Sequence, residues 1–307
     1  MQQNKKNSPR SSALLVLTAF IWGVAFVAQS EGMNYVGGFT FIGVRYLLGG
    51  LTLVPVLFLM KGKDPEHTGP DESRGRSGSL SRRTRTGILG GVCCGLCLVT
   101  ASSLQQFGIA ETTVGKAGFI TALYIVLVPL FGIFLHRRVG FHIWASVGLA
   151  VVGMYLLCIT EGFSVGRGDF LVFLCAIGFT FHIMVIDYFS PRADGVLISC
   201  VQFFTAGVVG SILMFLLEKP SLDGILAAWL PIGYAGIMSS GVAYTLQVIA
   251  QKNLDPAIAC LIMSLESVFS LLAGWILLGQ ILSLREMLGC GLVFVAIVLA
   301  QLPEKQG

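Results

Sequence analysis

Nine side chains of this 307-residue chain stand out because each is polar, aromatic or ionisable within a long apolar run: Trp22, Arg45, Gln105, Lys116, Tyr124, His182, Tyr244, Gln247 and Glu266. Arg45 and Lys116 are suited to attract a carboxylate, and a carboxyl such as Glu266 can take up and release a proton. Gln105, Tyr244 and Gln247 can donate and accept hydrogen bonds, while Trp22 and Tyr124 offer rings on which a flat or apolar group can rest, although aromatic residues in membrane helices more often serve packing. This is the chemistry of reversible binding to a small polar molecule.

Each residue also has a plainer reading. Arg45 lies about seven residues into its helix, roughly 10 Å from the boundary at 1.5 Å per residue, where a structural ion pair or a snorkelling side chain competes evenly with substrate contact. Lys116 is nearer the same surface, which favours snorkelling. Glu266 is near mid-helix, out of reach of water, which favours a functional role. His182 is also near mid-helix and reads first as a hydrogen-bonded packing residue. Asp187, by the inner end of its helix, is expected to face water. Ser240, Tyr244, Gln247 and Gln251 recur at steps of four, three and four and so share a helix face, partly repeated by Ser102, Gln105 and Gln106. Such a stripe is either interhelical glue or the wall of a polar cavity.

The elements that hold these residues are membrane spans. Apolar residues make up 55% of the chain and charged ones 12%, and the mean hydropathy is +0.82. Apolar runs near 12–30, 38–60, 87–108, 113–135, 141–160, 169–189, 196–217, 226–250, 256–279 and 285–302 predict ten helices. With a cytoplasmic N-terminus, fifteen Lys and Arg fall in inside segments and three, Arg167, Lys219 and Arg285, fall outside. That split fits ten helices with both ends inside a plasma membrane. A signal peptide at the N-terminus is disfavoured by the lack of a small-x-small cleavage pattern.

The sequence repeats itself. "SLQQFGIAETTVGKAGFI" at 103–120 lies over "TLQVIAQKNLDPAIACLI" at 245–262, an offset of 142, while Ala19 falls on Ala176 and Arg45 on Gln202 at an offset of 157. The 15 extra residues of the first copy lie in a polar, Arg- and Ser-rich tract that reads as a mobile cytoplasmic loop over 61–86. The expected domains are therefore residues 12–160, helices one to five, and residues 169–302, helices six to ten. Five is odd, so the second copy must sit upside down relative to the first. The expected fold is thus an all-α integral membrane bundle of ten helices in two inverted five-helix repeats, an arrangement that can open to either side of a site between them. Lys116, Glu266, His182 and Arg45 fall on Ile258, Tyr124, Ala25 and Gln202, so they break the symmetry and mark function over scaffold.

The chain resembles the drug/metabolite transporter superfamily, and within it the ten-helix exporters built from two EamA domains. The resemblance spans nearly the whole chain and rests on "FIWGVAFVA" at 20–28, Arg45 in "GVRYLLGGL", "GKAGFITALYIVLVPLFG", and "LESVFSLLAGWILLGQILSLREMLGCGLVFVAIVLAQ" at 265–301. Ser267 stands where the family often has Pro, and Gln280 where Glu is usual. The resemblance implies secondary active efflux of small metabolites, often amino acids, without a bound cofactor.

Other motifs are set aside. "GFSVG" at 162–166 has the spacing of a nucleophile elbow but lies in a short loop between spans. Cys94 and Cys97 sit in an apolar helix without a second ligand pair. No Walker A loop or HExxH occurs, and the basic residues follow topology, so no nucleic-acid partner is expected. Two function classes stay open. One is a secondary transporter, coupled to protons or a counter-substrate, or an uncoupled facilitator. The other is an intramembrane enzyme acting on lipid or peptide, with Glu266 and His182 as acid and base.

Overall fold

The computed structural model describes residues 8–61, 73–112, 114–134, 140–158, 166–278 and 283–301, and no strand occurs among them. Helices α1 (Pro9–Gly32), α2 (Gly38–Lys61), α3 (Ser73–Glu111), α7 (Arg167–Phe189) and α8 (Gly195–Leu217) are continuous. Among the described residues, eight segments are long and apolar enough to cross a bilayer, whereas α6 (Phe141–Cys158) and α14 (Leu284–Gln301) carry shorter apolar stretches, Ile143–Gly153 and Met287–Ala300. These two overlap the fifth and tenth expected spans without meeting the length of a membrane crossing.

Local sequence sets several helix starts. Pro9 occupies the first turn of α1, where its missing N–H costs nothing. The Asp194 carboxylate accepts from the backbone N–H groups of Val196 and Leu197, both at 2.9 Å, and so starts α8. Asp255 caps Ala257 at 2.9 Å, with Pro256 next to it. At α2 the cap comes from far along the chain. The Glu218 carboxylate, at the end of α8, accepts from Phe39 N and Thr40 N at 2.8 Å each and from Thr40 Oγ1 at 2.6 Å.

The loop expected over 61–86 is corrected in part. Residues 62–72 lie outside the described residues, but α3 begins at Ser73, and its exposed Arg82, Arg83 and Arg85 extend the helix beyond the apolar run. Apolarity marks the span and not the helix, because arginine is a good helix former in water.

Two spans are broken at matching places. α4 (Val114–Thr121) stops before α5 (Tyr124–Phe134), and α12 (Pro256–Met263) stops before α13 (Leu265–Leu278), so α4 and α12 start 142 residues apart. Tight i→i−3 bonds mark both joints: Ile125 N to Ala122 O at 3.0 Å and Ser267 N to Ser264 O at 3.1 Å. Pro129 lies inside α5 and beyond the first joint, and the second joint contains no proline. The second is marked instead by Ser264, whose hydroxyl bonds back to Leu261 O at 2.7 Å. A further irregular span runs from α9 (Leu222–Ala227) and α10 (Trp229–Gly233) through a π-helical segment, Tyr234–Tyr244, into α11 (Thr245–Gln251).

Long helices pair across the two halves. α2 runs along α8, α6 along α14 and α3 along α7 and α8, while α1 packs on the π-helical segment, α11 and α13. Glycines let α2 and α8 approach: a Cβ at Gly50 would lie 3.2 Å from the Phe204 ring, and one at Gly207 would lie 2.8 Å from the backbone of Leu47.

Candidate functional site

Eight of the nine residues singled out from the sequence line one cavity of ≈ 30 Å³: Trp22, Arg45, Gln105, Tyr124, His182, Tyr244, Gln247 and Glu266. That is room for about two water molecules. They come from α1, α2, α3, α5, α7, the π-helical segment, α11 and α13, so both halves of the chain contribute. The ninth, Lys116, lies on α4, and its side chain falls outside the described residues.

Arg45 is 2% exposed, so it does not snorkel. Its Nη1 donates to Gln29 Oε1 at 2.9 Å and its Nη2 to the Tyr46 hydroxyl at 2.7 Å, and its guanidinium lies 4.5 Å from the Tyr46 ring centre and 5.7 Å from that of Phe41. No carboxylate pairs with it among the described residues. The network extends outward: Tyr46 bonds Ser102, Tyr46 stacks on Phe203 with centroids 6.0 Å apart and planes 7° apart, and Gln106 Nε2 donates to Gln29 O at 3.1 Å. Burying an arginine at a helix centre costs roughly 2.5–3.5 kcal/mol on insertion scales. Two charge-assisted hydrogen bonds at about 1.5–3 kcal/mol each, with two ring contacts, are enough to hold it there.

The carboxylate of Glu266 lies in the same cavity. Tyr124 Oη donates to Glu266 Oε1 at 2.8 Å, and each residue stands within two positions of a helix joint. Sequence reasoning set these residues on corresponding positions of the repeat, and the fold brings them into contact. Gln105 Nε2 donates to Thr121 Oγ1 at 3.2 Å on the same side.

A third wall is aromatic. The Trp22 and Tyr244 rings lie 4.6 Å apart, worth about 0.5–1.5 kcal/mol beyond area burial, and Trp22 Nε1 donates to Ser239 O at 3.3 Å. His182 meets the Tyr244 ring edge-on at 5.8 Å and shares a 3.0 Å hydrogen bond with Gln202 Oε1. The packing reading of His182 thus fits one face of its ring, while the residue still lines the cavity.

Three buried polar atoms of lining residues have no hydrogen-bond partner among the described residues: Arg45 Nε, His182 Nδ1 and Gln247 Oε1. Buried polar groups are nearly always satisfied, so these three open atoms make the cavity the candidate site.

Two expectations change. Asp187 is buried, not facing water. The stripe on the eighth expected helix divides: Tyr244 and Gln247 line the cavity, Ser240 bonds Ala235 O at 2.8 Å, and Gln251 Nε2 donates to Ile183 O at 3.4 Å. The π-helical turns rotate Ser240 away from a face that regular 3.6-residue spacing would give it. Sequence reasoning missed Gln29, Thr121 and Ser239. The signal for Gln29 was present, because Trp22, Ala25, Phe26 and Gln29 follow one helix face. The "GFSVG" motif falls largely outside the described residues, and among the described residues no group of His, Cys, Asp or Glu converges as a metal site.

Residues 10–159 and 166–302 each match the EamA-like transporter family. An uncharacterized transporter of Archaeoglobus fulgidus is 27% identical over 94% of this chain and 84% of its own length. The uncharacterized inner membrane transporter YedA of Escherichia coli K12 is 25% identical over 96% of this chain and 91% of its own. A solved crystal structure with 17% identity superposes at a TM-score of 0.72 over 95% of this chain and 97% of its own, which shows the same fold. The chain belongs to the EamA-like transporter family, with two copies of the family's domain, and is a multi-pass membrane transporter rather than a member of an enzyme family.

Proposed function

We propose that this transporter is a secondary active exporter of a small polar metabolite, an amino acid or a related compound. It works by alternating access between two inverted five-helix repeats, residues 12–160 and 169–302, with both termini cytoplasmic in the plasma membrane. The observation that carries the reading is the cavity lined from both halves, with Arg45, Glu266 and open hydrogen-bonding atoms on its walls.

The helix packing supports the repeat. Exchanging the halves maps the α2–α8 and α6–α14 pairs onto themselves and turns the α3–α7 contact into that of α1 with the π-helical segment and α11. The stacked rings of Tyr46 and Phe203 stand 157 residues apart, the offset of the first two helices of each copy. A cavity near such an axis opens to one side or the other when the halves rock. Glu266 is the proton-coupling carboxylate and Lys116 adds positive field toward the outer exit. Counterflow of labelled amino acids into liposomes carrying the purified protein, with the label recovered chemically unchanged, is the test. Loss of the label into a product would replace the transporter reading with an enzymatic one.

A further inference from the structure

Helix α3 is longer than a bilayer needs. Its 39 residues span about 58 Å at 1.5 Å per residue, against a hydrocarbon core of roughly 30 Å. Arg85, Arg83 and Arg82 stand two, four and five residues before Gly87, where the apolar run begins, hence about 3, 6 and 8 Å beyond it along the axis. Headgroups add about 5–8 Å on each side of the core, so the three arginines lie at headgroup depth. All three are exposed. Arg82 and Arg85 also head one face of the helix, continued by Leu89, Leu96 and Thr100 at steps of three, four, seven and four. Leu89 is 57% and Leu96 49% exposed, so this face is the lipid-facing stripe of α3.

A fourth arginine joins them from the turn between α7 and α8. A Cβ at Gly87 would lie 3.4 Å from the Ala193 side chain and 2.8 Å from that of Leu197, so this turn rests on the face of α3 that carries Arg83 one helical turn away. Arg192, next to Ala193, is exposed. Its guanidinium donates to Tyr188 O and lies 4.0 Å from the centre of the exposed Tyr188 ring. None of the four arginines pairs with a carboxylate among the described residues. Asp194, the acidic residue of that turn, is committed to the start of α8. Four like charges at one end of the bundle are thus left without a counter-charge among the described residues.

We propose that this basic edge is a binding site for an anionic phospholipid, whose phosphodiester docks on Arg82, Arg83, Arg85 and Arg192 while its acyl chains lie along the stripe of Leu89 and Leu96. The inference goes beyond the transporter reading and is independent of what is transported. A phosphodiester is a monoanion that accepts the paired N–H groups of a guanidinium. A free phosphate would use the arginines alone and leave the apolar stripe next to them unused, which is why the lipid is the occupant the surface fits. Setting the orientation of the chain needs cations anywhere in the inside segments. It does not need them fixed on a helix, at headgroup depth, in line with a lipid-facing stripe.

The experiment is native mass spectrometry of the full chain in detergent, titrated with equal amounts of dioleoyl phosphatidylglycerol and dioleoyl phosphatidylcholine. The two lipids share their acyl chains and differ in net charge, so the ratio of their adducts reads the headgroup. Phosphatidylglycerol is expected to dominate on the wild-type protein and to raise its thermal unfolding temperature, which phosphatidylcholine and an equal concentration of inorganic phosphate leave unchanged. The combined variant Arg82→Gln, Arg83→Gln, Arg85→Gln is expected to lower the adduct ratio at least tenfold, given about fivefold per arginine at an anionic surface. Arg192→Gln is expected to lower it several-fold. Lys252→Gln removes an exposed cation at the same end of the bundle and is expected to leave the ratio unchanged. If the combined variant is not stably folded, Arg85→Gln alone tests the same point, with a loss of about fivefold. Equal adducts of both lipids on the wild-type protein overturn the inference, and so does a loss in Lys252→Gln as large as in the arginine variants. A well-folded arginine variant with the wild-type ratio overturns it too and leaves the patch to a soluble acidic partner. Stabilisation by inorganic phosphate equal to that by phosphatidylglycerol assigns the arginines to a free anion and overturns the lipid site.

Discussion

Tyr124 and Glu266 stand 142 residues apart, at equivalent positions of the two copies of the family's domain, and the Tyr124 hydroxyl donates to Glu266 Oε1 at 2.8 Å. The bond ties together the two broken spans, each just past its joint.

Glu266→Gln should insert normally and keep substrate exchange but lose gradient-driven accumulation, since an amide cannot carry a proton through the cycle. Flux in liposomes with and without an imposed pH gradient measures both. A variant with the wild-type dependence on that gradient rules out Glu266 as the coupling group.

Gln247→Leu should hold or raise the thermal unfolding temperature in detergent, because it removes a buried unpartnered acceptor whose desolvation costs about 1–3 kcal/mol. Transport should fall even so. A variant both less stable and equally active would assign Gln247 to the scaffold.

Gly207→Ala and Gly50→Ala should differ. At Gly207 the new methyl meets the Leu47 backbone at 2.8 Å and must push α2 and α8 apart, an overpacking cost of roughly 1–3 kcal/mol. At Gly50 its nearest neighbours are atoms of the Phe204 ring at 3.2 Å, a contact with side chain and not backbone. The expected order of thermal stability in detergent is wild type, then Gly50→Ala, then Gly207→Ala; the reverse order of the two variants counts against the close α2–α8 approach.

Glu218→Gln should loosen the start of α2 by about 0.5–2 kcal/mol, the usual cost of losing a helix cap. Faster hydrogen exchange at Phe39 and Thr40, with the rest of α2 unchanged, is the readout.

A cysteine placed at Ser79 should resist an impermeant maleimide in intact cells and react after lysis, as the fifteen-to-three division of cations requires. Labelling from outside would overturn the cytoplasmic placement of both termini.

The sequence by itself determined the class of protein, eight of the expected spans and the doubled domain, because hydropathy and self-similarity are properties of the chain and need no partner. It also marked eight residues that the fold gathers around one cavity, since a polar group in an apolar span is costly wherever it ends up. Only the tertiary structure decided what each one touches. Arg45 and Glu266 are opposite charges in apolar spans, yet Arg45 donates to Gln29 and Tyr46 and Glu266 accepts from Tyr124. The π-helical segment, the joint at Ser264 and the cap from Glu218 to α2 likewise have no local signature. Each exists because packing between helices distant in sequence outweighs the small local preference for a regular helix, and that balance is struck only when the bundle closes.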